Sequence, residues 1–273
     1  MSDDGLLGFE ELTVEAGDGP SLDELVLPAR VTRQLELLIR AWPARAALFR
    51  EQPSLARHFG ARGISALLSG PSGTGKTAAA RAVARRLGIE LRIVSVAALL
   101  SSYMGETTKH VESVLRTAEE RRLAILFDEA DVVASARAGG GGGASAIEHV
   151  RTVGYLLSRL ERFNGLAFFT TNRSLDPALI RRMFVIVEFH PLQREERREV
   201  WSRWKGRIEG ARLDWDPAID LDALGRHEIE PGDVMRVMDR VVMEAASEPP
   251  RRLTRERLER ALKDQLMVRG KVS

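Results

Sequence analysis

Gly70, Pro71, Ser72, Gly73, Thr74, Gly75, Lys76 and Thr77 run consecutively, so an ammonium and a hydroxyl follow directly on a turn with three glycines. The glycines let the chain aim its N–H groups inward at a polyphosphate; Lys76 can then reach the β- and γ-phosphates and Thr77 can ligate Mg²⁺. The flanks fit that chemistry. Ile64–Ser69 is a short apolar run of strand type, and Ala78–Leu87 reads as a helix stopped by Gly88. A strand, a tight turn and a helix N-terminus pointing at an anion are what such a loop needs. A second chemical feature closes another apolar run, Leu123–Phe127, with the acids Asp128 and Glu129. Asp128 is assigned to the metal and Glu129 to polarising water, because phosphoryl transfer needs charge neutralisation and an oriented nucleophile more than covalent help.

The elements that must carry these residues alternate. Strands are expected at Ile64–Ser69, Leu91–Val96, Leu123–Glu129, Leu166–Thr171 and Val185–Phe189, with helices between them, including about Thr107–Arg121 and Ile147–Phe163. The result is an α/β fold of the phosphate-loop type: a doubly wound, parallel, five-stranded sheet with its ligand site at the carboxyl ends of the strands. After His190-Pro191 the strand pattern stops, and helices near 193–208, 231–246 and 254–267 make a small all-helical domain. The expected division is an acidic, flexible tail over 1–20, a nucleotide-binding domain over 21–191 and a helical domain over 192–273. A helix from Val31 with Leu35, Leu38 and Trp42 on one face should end or bend near Pro43, with a second helix through 44–59. The five consecutive glycines Gly139–Gly143 are expected to be mobile.

Composition excludes several classes. The chain has no cysteine, hence no disulfide and no cysteine-ligated zinc, in keeping with a cytoplasmic protein. No apolar run is long enough for a membrane span, and two acids stand in the first four residues where a signal peptide would be basic. The net charge of +2 is uneven: −8 over residues 1–29, +9 over 30–191 and +1 over 192–273. The basic middle admits nucleic acid as a partner, but its bases are dispersed and no DNA-binding module accompanies them, so that reading is not favoured. His58, His110, His190 and His227 show no metal-ligand spacing, and no protease motif is present.

The phosphate loop, Asp128-Glu129-Ala130-Asp131, Thr170-Thr171-Asn172 and Leu175–Arg182 occur in the order seen in AAA ATPases. Over roughly 21–268 the chain resembles the classical branch of that family, in a compact bacterial-type version. The resemblance implies ATP and Mg²⁺ as ligands, and a homo-oligomeric ring, a hexamer, that remodels a protein client. It makes Asn172 the sensor-1 residue, the helical domain a lid, and Arg181 or Arg182 an arginine finger reaching the neighbouring subunit's ATP. Spacing does not decide between the two arginines. Ser101–Thr107 resembles a pore loop in which Tyr103 and Met104, before Gly105, grip an extended polypeptide; adaptable aromatic and thioether contacts suit many sequences. Glu230–Val234 resembles the start of the sensor-2 helix but lacks an arginine in its opening turn, leaving Arg236 either in that role or at the surface. A nucleic-acid-associated ATPase and an assembly scaffold without threading are the alternatives.

Overall fold

The computed structural model describes residues 8–55, 63–94, 99, 107–130, 154–173, 177–211, 213–247 and 251–272. In chain order its elements are α1 (Phe9–Leu12), β1 (Thr13–Glu15), α2 (Ala29–Glu51), β2 (Ile64–Ser69), α3 (Lys76–Leu87), β3 (Leu91–Val94), α4 (Thr107–Arg121), β4 (Ala124–Phe127) and β5 (Leu166–Thr171). Then follow α5 (Pro177–Ile180), β6 (Val185–Glu188), α6 (Arg194–Gly210), β7 (Asp214–Trp215), α7 (Leu221–Arg226), α8 (Pro231–Ser247), β8 (Arg252–Leu253) and α9 (Arg255–Val272). The chain divides into two units. One comprises residues 1–22, 29–70 and 76–189; the other comprises residues 23–28, 71–75 and 190–273.

The first unit is built on a six-stranded sheet in the order β1-β3-β4-β5-β2-β6. Five strands are parallel, as expected, with β2 between β5 and β6. Every residue of β4 and β5 is buried, which explains why both read as unbroken apolar runs rather than alternating ones: helices cover both faces. Phe127 and Phe169 stack with ring centroids 4.8 Å apart in the core. On α4, Val111, Val114, Leu115 and Ala118 all turn inward. Arg159 ties the helical residues 154–160 to α4 by bonds to Glu112 at 2.9 Å and Glu119 at 2.7 Å.

The sixth strand corrects the expectation of a flexible tail over 1–20. Residues 9–15 form α1 and β1, and β1 adds to the edge of β3 antiparallel, with Thr13 opposite Val94 and Glu15 opposite Arg92. An acid-rich composition suggested mobility, but these acids meet arginines from the sheet and α4. Glu10 accepts from Arg121 at 2.8 Å and Arg92 at 2.9 Å, and the Arg121 bond is the largest influence holding its carboxyl below the usual range. The same guanidinium groups stack on Phe9, with ring distances of 5.4 Å and 5.7 Å. Phe9 and Leu12 are buried.

The helix expected to end or bend near Pro43 does not end there: Pro43 lies inside a single 23-residue helix, Ala29–Glu51, so no separate helix begins at residue 44. An interior proline costs a hydrogen bond and strain, of order 3 kcal/mol in an isolated helix. The apolar stripe Val31, Leu35, Leu38 and Phe49 is buried on both sides of Pro43, so burial of a continuous face outweighs that local cost.

The second unit packs α6, α7, α8 and α9 around Trp201, Val234, Val237, Met238, Val241, Leu258 and Leu262. It is not purely helical. Asp214 and Trp215 pair in parallel with Arg252 and Leu253, a ladder too short for a pattern of period two to reveal. Tyr103, Met104 and Gly105, expected in a pore loop, and the polyglycine stretch lie outside the described residues.

Phe9 anchors the edge arm through burial and two cation–π contacts, so Phe9→Ala is expected to cost about 3 kcal/mol of stability. A urea titration monitored by circular dichroism checks this; an unchanged midpoint would show that the arm adds nothing.

Candidate active site

Parallel pairing in register decides which groups meet. Phe127 of β4 lies opposite Phe169 of β5, and Leu67 of β2 lies opposite the same residue. One step beyond that level, Asp128 reaches Thr170. The Thr170 hydroxyl, buried, donates to Asp128 Oδ1 and accepts the Glu129 backbone N–H at 3.0 Å. Thr77, in the first turn of α3, donates to both Asp128 oxygens, at 3.1 and 3.2 Å. Lys76 is buried; its Nζ donates to Gly70 O at 2.7 Å and to Asn172 Oδ1 at 2.8 Å. Four separate segments, the loop, α3, the end of β4 and the end of β5, therefore converge within hydrogen-bond reach.

The backbone is shaped for this convergence. Gly70 has φ of +140°, and a Cβ there would lie 2.1 Å from Phe189 O, so only glycine fits. Glu129 is exposed and takes φ of +53°, an uncommon conformation for a residue with a side chain. Two bonds hold it there: Glu129 N–H to the Thr170 hydroxyl, and Ala130 N–H to Thr170 O at 2.8 Å. Strain that the surroundings enforce, at a carboxylate that faces solvent, is the pattern of a functional position.

In the second unit, residues 71–75 of the loop have their own support. Thr74 is buried and its hydroxyl donates to Pro71 O at 2.8 Å. Gly73 O accepts the Gly232 N–H at 2.9 Å.

Residues 66–191 match the family described as ATPase family associated with various cellular activities (AAA). The chain is 36% identical over 167 residues to the 26S proteasome regulatory subunit 8 homolog of Schizosaccharomyces pombe, covering 58% of this chain and 40% of that protein. It is 31% identical over 239 residues to the ATP-dependent zinc metalloprotease FtsH 3 of Sphaerobacter thermophilus, covering 82% of this chain and 47% of that protein. The chain belongs to the AAA ATPases. It spans less than half the length of either relative.

The loop and its partners are the part of this AAA chain where the residues named from the sequence meet. The cluster joins Lys76, Thr77, Asp128 and Asn172, all named from the sequence, and adds Thr170. The sequence carried Thr170 at a strand end and in the stretch Thr170-Thr171-Asn172, without a role of its own; its bonds become visible when β4 and β5 are set side by side. A threonine at the level of the acid on the adjacent parallel strand was the available signal. Arg181 and Arg182 lie in the turn after α5, outside this cluster. Their environments differ: Arg182 is half-buried and pairs with Glu161 at 2.5 Å, whereas Arg181 is exposed, with no side-chain partner among the described residues. Arg236, the sensor-2 candidate, pairs with Asp233 at 3.3 Å and is largely exposed, as a surface residue would be. Among the described residues no three acids or histidines are grouped to hold a metal by themselves, and no helix is long and apolar enough to cross a membrane.

Replacing Thr170 by valine preserves shape but removes both hydroxyl bonds and leaves the Glu129 N–H without its partner. The expected outcome is a stability loss of about 1–3 kcal/mol, read from denaturant unfolding, with a fall in phosphate release from ATP. Wild-type values for both would show that Thr170 does not organise the acids.

Proposed function

We propose that the chain is a subunit of a homo-oligomeric ring, a hexamer, that hydrolyses Mg-ATP and uses the energy to remodel or thread protein. The observation that carries this reading is that the adjacent Lys76 and Thr77 lead two sets of hydrogen bonds, Lys76 to Asn172, and Thr77 through Asp128 to Thr170 and the Glu129 backbone. Lys76 binds the β- and γ-phosphate oxygens. Asn172, exposed at the end of β5, orients the γ-phosphate or the water that attacks it.

The donor set suits Mg²⁺. Thr77 and Asp128 offer hard oxygen ligands side by side, and this ion is commonly held by one or two protein groups together with water and substrate phosphates. When bound, Mg²⁺ would neutralise charge on the β- and γ-phosphate oxygens. Glu129, held at the strand end with its carboxylate in solvent, orients water for in-line attack on the γ-phosphorus and takes up its proton as the bond to ADP breaks.

Completion of the site falls to the neighbouring subunit. We assign the finger to Arg181, supported by its exposure and by a guanidinium with no side-chain partner among the described residues, and a structural ion pair to Arg182. A finger supplied in trans makes turnover depend on assembly. Tyr103, Met104 and Gly105 are assigned to the channel that contacts the protein client, in line with the resemblance of their stretch to a pore loop. The proposed place of action is the cytoplasm, which supplies ATP.

Glu129→Gln is expected to lower turnover by at least about 10²-fold while ATP binding persists, measured by phosphate release and by fluorescent-nucleotide titration. Unchanged turnover would remove Glu129 from catalysis. Arg181→Ala should lower turnover about 10³-fold. Mixing it with Glu129→Gln subunits should restore part of the rate, since some interfaces then combine an intact Glu129 with an intact Arg181; no recovery on mixing would argue against a finger in trans. Tyr103→Ala should leave ATP turnover intact and abolish retention of polypeptide on ATP-loaded Glu129→Gln rings.

A further inference from the structure

Glu230 stands at the start of α8, where its carbonyl accepts the Asp233 N–H at 2.9 Å and the Val234 N–H at 3.0 Å. An acid in that position ordinarily turns its side chain back onto an N–H of the first turn. Here it does not. The Gly232 N–H is instead given to Gly73 O, at 2.9 Å, so the start of α8 caps a carbonyl of the phosphate loop. Gly73, with φ of +82°, is packed so closely that a Cβ on it would lie 3.2 Å from Glu230 Cβ. A Cβ on Gly232 would lie 3.0 Å from Gly73 Cα. Glycine at both positions permits this approach.

The Glu230 side chain is 4% exposed. Its Oε1 receives only a long contact from Arg269, at 3.4 Å, and its Oε2 has no hydrogen-bond partner among the described residues. Burial pushes the carboxyl above its ordinary range, against the opposing pull of Arg269. Arg269, from α9, is itself fixed by bonds to Glu228 O at 2.9 Å and Asp233 at 3.5 Å, and Gln265 of α9 donates to Asp233 at 2.8 Å. A buried, half-satisfied acid is unfavourable for stability, so its presence against a ligand-binding loop points to a role in that loop's conformation.

We propose that Glu230, held by Arg269, is a positioning residue for nucleotide binding: it fixes Gly73, and with it residues 71–75, in the conformation that receives the phosphates. This inference rests on the proposed nucleotide site. Because Glu230 acts on the loop and not on the reacting atoms, its removal acts on affinity before it acts on chemistry.

The test uses the full chain with a fluorescent ADP analogue and steady-state ATP turnover, comparing Glu230→Ala, Glu230→Gln, Arg269→Met and Lys76→Ala. Glu230→Ala is expected to raise Kd about tenfold, with a far smaller change in kcat at saturating ATP, while Glu230→Gln, which keeps the shape, stays within about threefold of the wild-type Kd. Arg269→Met should shift Kd in the same direction as Glu230→Ala. Circular dichroism and thermal melting confirm that each variant is folded, and Glu230→Gln keeps the comparison interpretable if Glu230→Ala does not fold. If Lys76→Ala loses nucleotide while Glu230→Ala binds as wild type, the positioning role is overturned and the nucleotide site stands. A loss confined to kcat overturns it equally. If Lys76→Ala binds as wild type, the nucleotide site itself fails.

Discussion

The site depends on the register of three buried parallel strands. Because β2, β4 and β5 are hydrogen-bonded level with one another, the residues just beyond their apolar runs arrive at one height without any long-range search. Asp128 then lies beside Thr170, and Asn172 lies within reach of a lysine delivered by the loop after β2. A one-residue slip in β5 would exchange the two faces of the strand, carrying the Thr170 hydroxyl away from Asp128 and breaking the stack of Phe169 on Phe127. Hydrophobic packing thus sets the geometry of the cluster: the same register that stacks the phenylalanines places the acid beside Thr170.

The parts of this arrangement legible in the sequence are those set by local rules. Gly70–Thr77 and Asp128-Glu129 are contiguous, and the apolar runs before them are long enough to identify their strands. The five parallel strands follow from alternation with helices. What stayed hidden depends on partners distant in the chain. Nothing near Arg181 and Arg182 separates them; Glu161, some twenty residues away, does so by engaging one and leaving the other exposed. The docked arm at residues 9–15 looked like a solvated acidic tail because its arginine partners, Arg92 and Arg121, lie in other elements. Pro43 carries a strong local signal, and it was overridden by the burial of residues on either side of it.

The Glu129 backbone shows how conformation and chemistry are joined. An exposed carboxylate in a left-handed conformation has neither packing nor propensity to hold it, so its direction is set almost wholly by the bonds that Thr170 makes with the backbone at 129 and 130. The Thr170 hydroxyl donates to Asp128 and so orients that acid as well. One buried threonine therefore fixes the relative placement of the two acids to which the proposed mechanism gives different tasks. Pre-set groups of this kind lower a barrier because they need not reorganise as charge develops.

The phosphate loop itself is not a purely local structure. Its motif specifies glycines that can turn, but a glycine-rich segment free to turn is also free to occupy many conformations, and ordering it costs entropy. Residues 71–75 meet that cost through contacts with residues about 157 positions further along the chain, where Gly232 donates to Gly73 and Glu230 packs against it. The buried core around Trp201 and Val234 holds the start of α8 in place, so the order of the loop is tied to the integrity of that core. On the proposed nucleotide reading, a loop held in this way leaves less of the binding energy to be lost to ordering.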